Sequence, residues 1–413
     1  MASKLMQALP TEILFIITES LPIQDRPSLA LVCRRFAAIV QPQIYRAVRF
    51  NMFSTTPKHL QSLEFTLYSR PSLFTYCREL SVIFDNSDTY MDASESDSSV
   101  SSKPSLDHCM LLRNLIRVLP NVQSLTLRGS YDEHSPLVWG LTRYAVQHMH
   151  RLKDLELNAE LGWFYLQDLD ATLHGLQSLD TLVVRCLCFD DYRRDMDELM
   201  PENNTEVLAE VVPSIGTGMN SDEMSFDSHE FVPWPNSVAH LRLDCWINRS
   251  RFVEPDIIVA RLRHYKRTLV SLDLRIMGHC DLQGIIDTSD FPELETARLP
   301  IPNLRRPNNP VWPVDMTLGP KLHTITLDFS ADNHYQYLEN FDEAEEKWIT
   351  KLARGAVADK KALREIKIAF RNDVREWRRG NCQQLWDRLD RLGATLNQLG
   401  LRLSYKKRAP SVD

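Results

Sequence analysis

Along most of the chain one short pattern of apolar positions recurs: apolar, two variable residues, apolar, one variable residue, apolar. It reads Val122-x-x-Leu125-x-Leu127, Leu152-x-x-Leu155-x-Leu157, Leu179-x-x-Leu182-x-Val184, Val238-x-x-Leu241-x-Leu243 and Leu269-x-x-Leu272-x-Leu274. It continues as Leu294-x-x-Ala297-x-Leu299, Leu322-x-x-Ile325-x-Leu327, Leu363-x-x-Ile366-x-Ile368 and Leu396-x-x-Leu399-x-Leu401. Between middle residues the spacings are 30, 27, 59, 31, 25, 28, 41 and 33. Alternation at the end of each word is the period of a strand. Between the words, residues 106–119, 137–149, 163–176, 255–268, 343–358 and 376–396 carry apolar side chains at helical spacing. Strand followed by helix, repeated, is the unit of a parallel sheet. One such unit cannot bury its own apolar face, so neighbours must stack.

A spacing near 30 resembles the leucine-rich repeat, for which roughly 20–29 residues is common. The gap of 59 is about two periods. Leu80-Ser81-Val82, 45 residues before Leu125, is a further strand candidate. The leucine-rich consensus places Asn or Cys three positions after the last leucine, whereas this chain has Ser130, Glu160 and Leu187 there in the first three words. The expected fold class is therefore α/β: an irregular leucine-rich-repeat-like solenoid over residues 51–405, with parallel strands on the concave face and helices outside.

Residues 9–46 follow a different pattern. Leu9-Pro10-x-Glu12-Ile13-Leu14 opens a helix with proline early in the first turn, where its missing N–H costs little, and with an acid near the positive end of the helix dipole. Ile13, Leu14, Ile16, Ile17 and Leu21 form an apolar face too broad for so short a helix to bury alone. Asp25 is placed to cap a second helix carrying Leu29, Leu31, Val32 and Cys33; Phe36, Ile39 and Val40 form a third stripe that Pro42 is expected to stop. Three helices in about 40 residues sit at the lower limit of what folds alone, so the module is expected to complete its core against something else.

The pattern Leu9-Pro10, Glu12-Ile13-Leu14, Ile17, Leu21-Pro22, Asp25, Leu29, Leu31-Val32-Cys33-Arg34, Phe36, Pro42 and Tyr45-Arg46 resembles the F-box in order and spacing. Arg26 departs from it, since an apolar residue often follows the aspartate. The resemblance covers about a tenth of the chain and assigns residues 5–50 to a three-helix F-box. It implies docking on the Skp adaptor through Leu9, Pro10, Ile13, Ile17, Leu21, Leu31, Val32, Cys33 and Phe36, and through that adaptor to cullin and RING subunits and a ubiquitin-conjugating enzyme. An F-box followed by leucine-rich-like repeats implies a non-catalytic substrate-recognition subunit of a ubiquitin ligase, its repeats binding a protein client. The alternative is a Skp-bound F-box protein acting outside ubiquitin ligases, as a structural or trafficking module, told apart by whether cullin co-purifies.

Charge alters this picture locally. The net charge of −7 is concentrated in two acidic segments: −5 over residues 85–107 and −10 over residues 189–230, leaving +8 for the remainder. Residues 86–105 and 189–232 read as disordered insertions, because they hold few apolar side chains to offset the entropy of ordering. Residues 406–413 form a basic tail. The apolar run 13–17 is far shorter than the roughly 20 residues of a membrane span, and neither a secretory signal nor a lipidation motif is evident. The expectation is a soluble chain in the cytoplasm or nucleus, with no membrane partner. Eight cysteines without a CxxC pair read as reduced thiols, and no metal site or cofactor is expected.

The sequence shows no GxGxxG, Walker loop, HExxH or GxSxG, so it is not expected to be an enzyme. Its pI near 6.0 gives no electrostatic footprint for nucleic acid. Residues that alternate with the buried leucines would face the concave surface. Among them Arg128, Arg185, Arg242, Arg275, Arg298, Lys367 and Arg402 form a candidate client-binding set, suited to an acidic or phosphorylated peptide. The competing reading of the same residues is a solvated sheet face with cross-strand charge pairs.

Overall fold

A computed structural model of the chain describes residues 9–22, 24–52, 57–84, 106–129, 135–159, 164–165, 173, 176, 178–188, 237–247, 262–278, 286–301, 316–330, 341–370 and 382–406. The expected insertions, residues 86–105 and 189–232, and, apart from Lys406, the basic tail lie outside the described residues. The chain divides into two compact units, Met1–Gly162 and Trp163–Asp413, so residues 9–46 share a unit with the first strands.

The first unit begins with helices α1 (Thr11–Ser20), α2 (Arg26–Ala30) and α3 (Arg34–Ile44). β1 (Ala47–Asn51), α4 (Pro57–Ser69), a 3-10 helix (Pro71–Tyr76) and β2 (Glu79–Phe84) follow. Then come α5 (Leu106–Val118), β3 (Ser124–Gly129), α6 (Ser135–His148) and β4 (Asp154–Ala159). β1, β2, β3 and β4 pair in that order, all parallel, with Val48, Leu80, Leu125 and Leu155 in one register line. β1 follows the third helix after a two-residue turn, Tyr45–Arg46, and was not expected from the sequence.

The second unit holds β5 (Phe164–Tyr165), β6 (Thr181–Cys188), β7 (His240–Ile247), β8 (Ser271–Gly278), β9 (Thr296–Pro300) and β10 (Thr324–Asp328). It closes with α7 (Glu343–Ala358), β11 (Glu365–Ala369), α8 (Cys382–Gln398) and β12 (Arg402–Tyr405). β6 to β12 pair consecutively and in parallel, and β5 pairs with the far end of β6. The chain is thus α/β, with an N-terminal helical region and parallel strands interleaved with helices.

The recurring apolar word sets the register. In its first eight occurrences every apolar position is buried, as are Leu80 and Val82. Cys77, also buried, stands where the β2 word would carry its first leucine. At full burial each leucine contributes about 1.5–3 kcal/mol, so the words jointly supply much of the drive for stacking. A backbone feature accompanies them. Just before eight of the strands a carbonyl accepts two N–H groups from the next repeat: Arg46 O from Arg78 and Glu79, then Arg78 O from Gln123 and Ser124, and Gln123 O from Lys153 and Asp154. In the second unit Asp180, Ala239, Val270, Glu295 and His323 carbonyls do the same. Because these bonds use main-chain atoms only, no particular side chain marks them.

Four expectations change. The ninth word is displaced by four: Leu403, not Leu399, lies opposite Ile366. Leu396 belongs to α8, where leucines three apart follow the helical rather than the strand period, and Gly400 at φ +79° turns the chain into β12. Residues 163–176 do not open as a helix, since Phe164–Tyr165 form a strand. At the end of 255–268 the described residues form a 3-10 turn, Arg263–Tyr265. Pro42 does not stop α3, which runs on to Ile44; a proline this near a helix C-terminus disturbs only the last turn.

Candidate partner-binding surface

Pro10 stands at the N-cap of α1, and its carbonyl accepts the first helical bond, from Leu14 N at 3.2 Å. Leu14 and Thr18, four residues apart, form the buried face of α1, which packs on α3. The Thr18 hydroxyl lies 3.1 Å from Leu14 O and 2.8 Å from Phe15 O, and accepts from Gln43 Nε2 at 3.2 Å. Phe36 and Val40 on α3 are also wholly buried, and α3 packs against the 3-10 helix Pro71–Tyr76. The module therefore completes part of its core with this chain's own later residues.

The rest of its apolar surface stays open. Leu31 is 87% exposed, Val32 63%, Ile16 60%, Phe15 44% and Ile13 41%. Ile13, Ile16 and Ile17 sit at i, i+3 and i+4, a flank of α1 beside the buried Leu14 and Thr18. Leu31 and Val32 form the turn between α2 and α3; α2 ends at Ala30, shorter than the sequence suggested, and Cys33 is the N-cap of α3. Five large apolar side chains exposed within twenty residues are too many to treat as scattered surface hydrophobics.

Of the nine residues assigned to Skp contact, Pro10, Ile13, Leu31 and Val32 are exposed, while Leu9, Ile17, Leu21 and Cys33 are half-buried. Phe36 belongs to the module's interior, since it is 0% exposed. Phe15 and Ile16 were missing from the expected set. Their signal is the unbroken run Ile13–Leu14–Phe15–Ile16–Ile17 on a ten-residue helix, which has only one inward face. Arg26, the departure from the F-box pattern, donates from Nε to Leu21 O at 3.3 Å and from a terminal nitrogen to Glu19 O at 3.4 Å. It thereby serves the unpaired carbonyls at the C-terminus of α1.

The polar strand positions of the second unit form another surface. Arg242, Asp273, Arg298, Thr326, Lys367 and Ser404 share one register line from β7 to β12. Arg242 grips Asp244 with two bonds, 3.1 and 2.9 Å, and Arg275 grips Asp273 with two, 3.0 and 2.9 Å. Arg298 reaches the buried carboxylate of Asp328 at 2.7 and 2.6 Å. Longer approaches of 3.7–3.8 Å link Arg242 and Arg298 to Asp273 and Arg275 to Asp244. Burial alone would lower the Arg275 pKa, but the bond to Asp273 and the charges of Asp273, Asp244 and Asp328 raise it above its usual value. Three arginines thus meet three aspartates, and this stretch is a neutral lattice of charge pairs.

The remaining client candidates are dispersed. Arg128, in the first unit, and Arg185, opposite Asp244, are half-buried. Lys367 approaches Glu365 at 3.5 Å. Arg402 lies opposite Glu365, four positions earlier along β11 than the expected ninth word implied, and pairs with it at 2.8 Å. Among the described residues no group of three or more His, Cys, Asp or Glu is placed to hold a metal, and no helix is long and apolar enough to cross a membrane.

Comparison with known families agrees with the geometry of the N-terminal module. The family model described as F-box-like matches residues 6–51, which contain α1 to α3 and β1. No curated protein matches the chain. The chain therefore carries an F-box-like domain at its N-terminal end.

Proposed function

We propose that this chain is a substrate-recognition adaptor of a Skp–cullin–F-box ubiquitin ligase. The observation that carries the reading is the open apolar surface of the F-box-like domain, Ile13, Phe15, Ile16, Leu31 and Val32. Such a surface is costly in water and is offset when a partner covers it, at about 1.5–3 kcal/mol for each large side chain. F-box domains as a class bind the Skp adaptor, and that adaptor supplies the covering face. Cullin and RING subunits then join through Skp, and the catalytic step belongs to the ubiquitin-conjugating enzyme they bring. The parallel strands and helices behind the domain, read as a leucine-rich-repeat-like solenoid, bind the protein client.

Because the key side chains are exposed, they can be altered without unfolding the chain. Leu31→Asp is expected to change stability by no more than about 0.5 kcal/mol. Its affinity for the Skp adaptor should fall roughly ten- to a hundredfold, the loss matching one large apolar side chain left uncovered. The paired Pro10→Ala and Ile13→Ala variant should also lose the adaptor while keeping its far-UV circular dichroism. Undiminished adaptor binding by both variants, measured by calorimetry, would overturn the assignment. Co-purification of cullin separates a ligase subunit from a Skp-bound protein working elsewhere.

A further inference from the structure

In the second unit an open cavity of about 410 Å³ runs along α7 beside residues 316–318, the approach to β10. Its floor is apolar and buried: Leu318, Trp348, Leu352 and Ala356. α7 lines it from Trp348 to Ala358, with Trp348, Leu352, Gly355 and Ala356 at the centre of that side of the helix and the C-cap Asp359 at its end. Three cations line it, Lys351, Arg354 and Lys361, against a single acid, Asp359. The combination differs from the neutral arginine–aspartate lattice on the strands, because here basic residues outnumber acids around an apolar floor.

Two local choices beside this cavity run against the preferences of the helix that forms it. Gly355 lies within a sixteen-residue helix, where glycine costs about 1 kcal/mol relative to alanine. Close packing does not require it, since an added Cβ would meet nothing within 4 Å. The glycine keeps the slot open. Lys360, just past the helix end, adopts φ 54°, a position normally filled by glycine. Departures from local preference without a packing reason concentrate at functional surfaces.

We propose that this groove docks a short segment of a partner protein: one apolar side chain seated over Trp348 and Leu352, flanked by anionic side chains, carboxylate or phosphate, facing Lys351, Arg354 and Lys361. The volume falls in the range of about 300–1,000 Å³ that holds compact ligands, and the open side admits a continuing chain. Charge complementarity selects the anionic flanks. The inference rests on the client-recognition reading for calling the partner a client, and it adds the place and the chemistry of recognition.

The test uses the full chain and fluorescein-labelled synthetic peptides with a central phenylalanine flanked by glutamates, by phosphoserines, or by glutamines, read by anisotropy at low salt. At least one anionic peptide should bind roughly tenfold or more tightly than the glutamine peptide. Gly355→Trp fills the slot and replaces a poor helix former, so it should abolish binding with thermal stability kept. Arg354→Glu combined with Lys361→Glu should shift the preference to a lysine-flanked peptide. Absence of binding by both anionic peptides, equal binding of the glutamine peptide, or unchanged binding by both variants would overturn the proposal. Self-association removed by Gly355→Trp would assign the groove to a second copy and also overturn it. Adaptor binding is not read in this assay, so its failure leaves the F-box reading untouched, and the reverse holds.

Discussion

Cys77 shows how one position in the repeat fixes a chemical property. It occupies the place of a leucine, and its Sγ lies 3.6 Å from Glu79 O, to which it donates. Burial pushes its thiol from the ordinary 9.0 up to about 11; the Glu79 charge adds to this, while a backbone hydrogen bond with Glu79 and the Arg78 charge oppose it. The folded chain therefore holds this proton more tightly than the unfolded chain. That contribution to stability is complete below pH 9 and is lost as pH rises from 9 towards 11. In the native protein at about pH 8, Cys77 should resist thiol reagents and label only on unfolding, as mass spectrometry of labelled peptides would reveal. Lys360 is a second single-residue case. Its left-handed backbone costs an L-residue about 1 kcal/mol or more, so Lys360→Gly should raise stability by roughly 1 kcal/mol in chemical denaturation. A neutral or destabilising result would mean the lysine side chain makes up the difference.

Among elements, the strands were legible because each word places three apolar residues on a buried face, and burial is what periodicity records. The ninth failed for a physical reason. Leu396 and Leu399 satisfy the L-x-x-L spacing equally well as one helical turn, and only Gly400 separates the two interpretations. β1 was missed because Val48 and Phe50 come just after Tyr45-Arg46, which end the F-box pattern and form the two-residue turn between α3 and the strand, and lack the three-residue apolar word. The paired main-chain acceptors before eight of the strands leave no trace in side-chain identity. β12, once placed, is tied to β11 through Glu365, which accepts from Ser404 Oγ at 2.6 Å and pairs with Arg402 at 2.8 Å. Burial alone would raise the Glu365 carboxyl, but the bonds from Ser404 and Arg402 and the charges of Lys367 and Arg402 outweigh it and hold it below the usual 4.5. A depressed carboxylate stabilises above its unfolded value and loses that effect as pH falls through the folded one. Amide exchange in Arg402–Tyr405 should therefore quicken below about pH 4.5, and Glu365→Gln should show the faster exchange already near neutrality. Equal protection in both proteins across that range would remove Glu365 as the tie.

For the molecule as a whole, the excess apolar area of the F-box-like domain was more legible in the sequence than the charge pairing on the strands. A run of five apolar residues on a short helix announces an excess of hydrophobic area, and Ile13, Ile16, Leu31 and Val32 carry it. A row of basic residues says nothing about the acids that will stand beside them, and Arg242, Arg275 and Arg298 each meet an aspartate that only strand register brings near. The α7 groove was invisible for a related reason: it depends on the open side of Gly355 and on residues 316–318 lying against a helix that begins at Glu343. These two surfaces, one in each unit, rest on different forces, and salt separates them. Raising ionic strength from about 0.1 M to 1 M shortens the screening length from about 10 Å to 3 Å, weakening attraction between exposed charges while leaving apolar burial intact or strengthened. Adaptor binding through the F-box-like surface should accordingly be nearly indifferent to salt and show a negative heat-capacity change in calorimetry. Anionic-peptide binding at α7 should weaken steeply over the same range. If the adaptor were released by salt and the peptide retained, charge would be the force at the first surface and apolar contact at the second, and both assignments of chemistry would have to be exchanged.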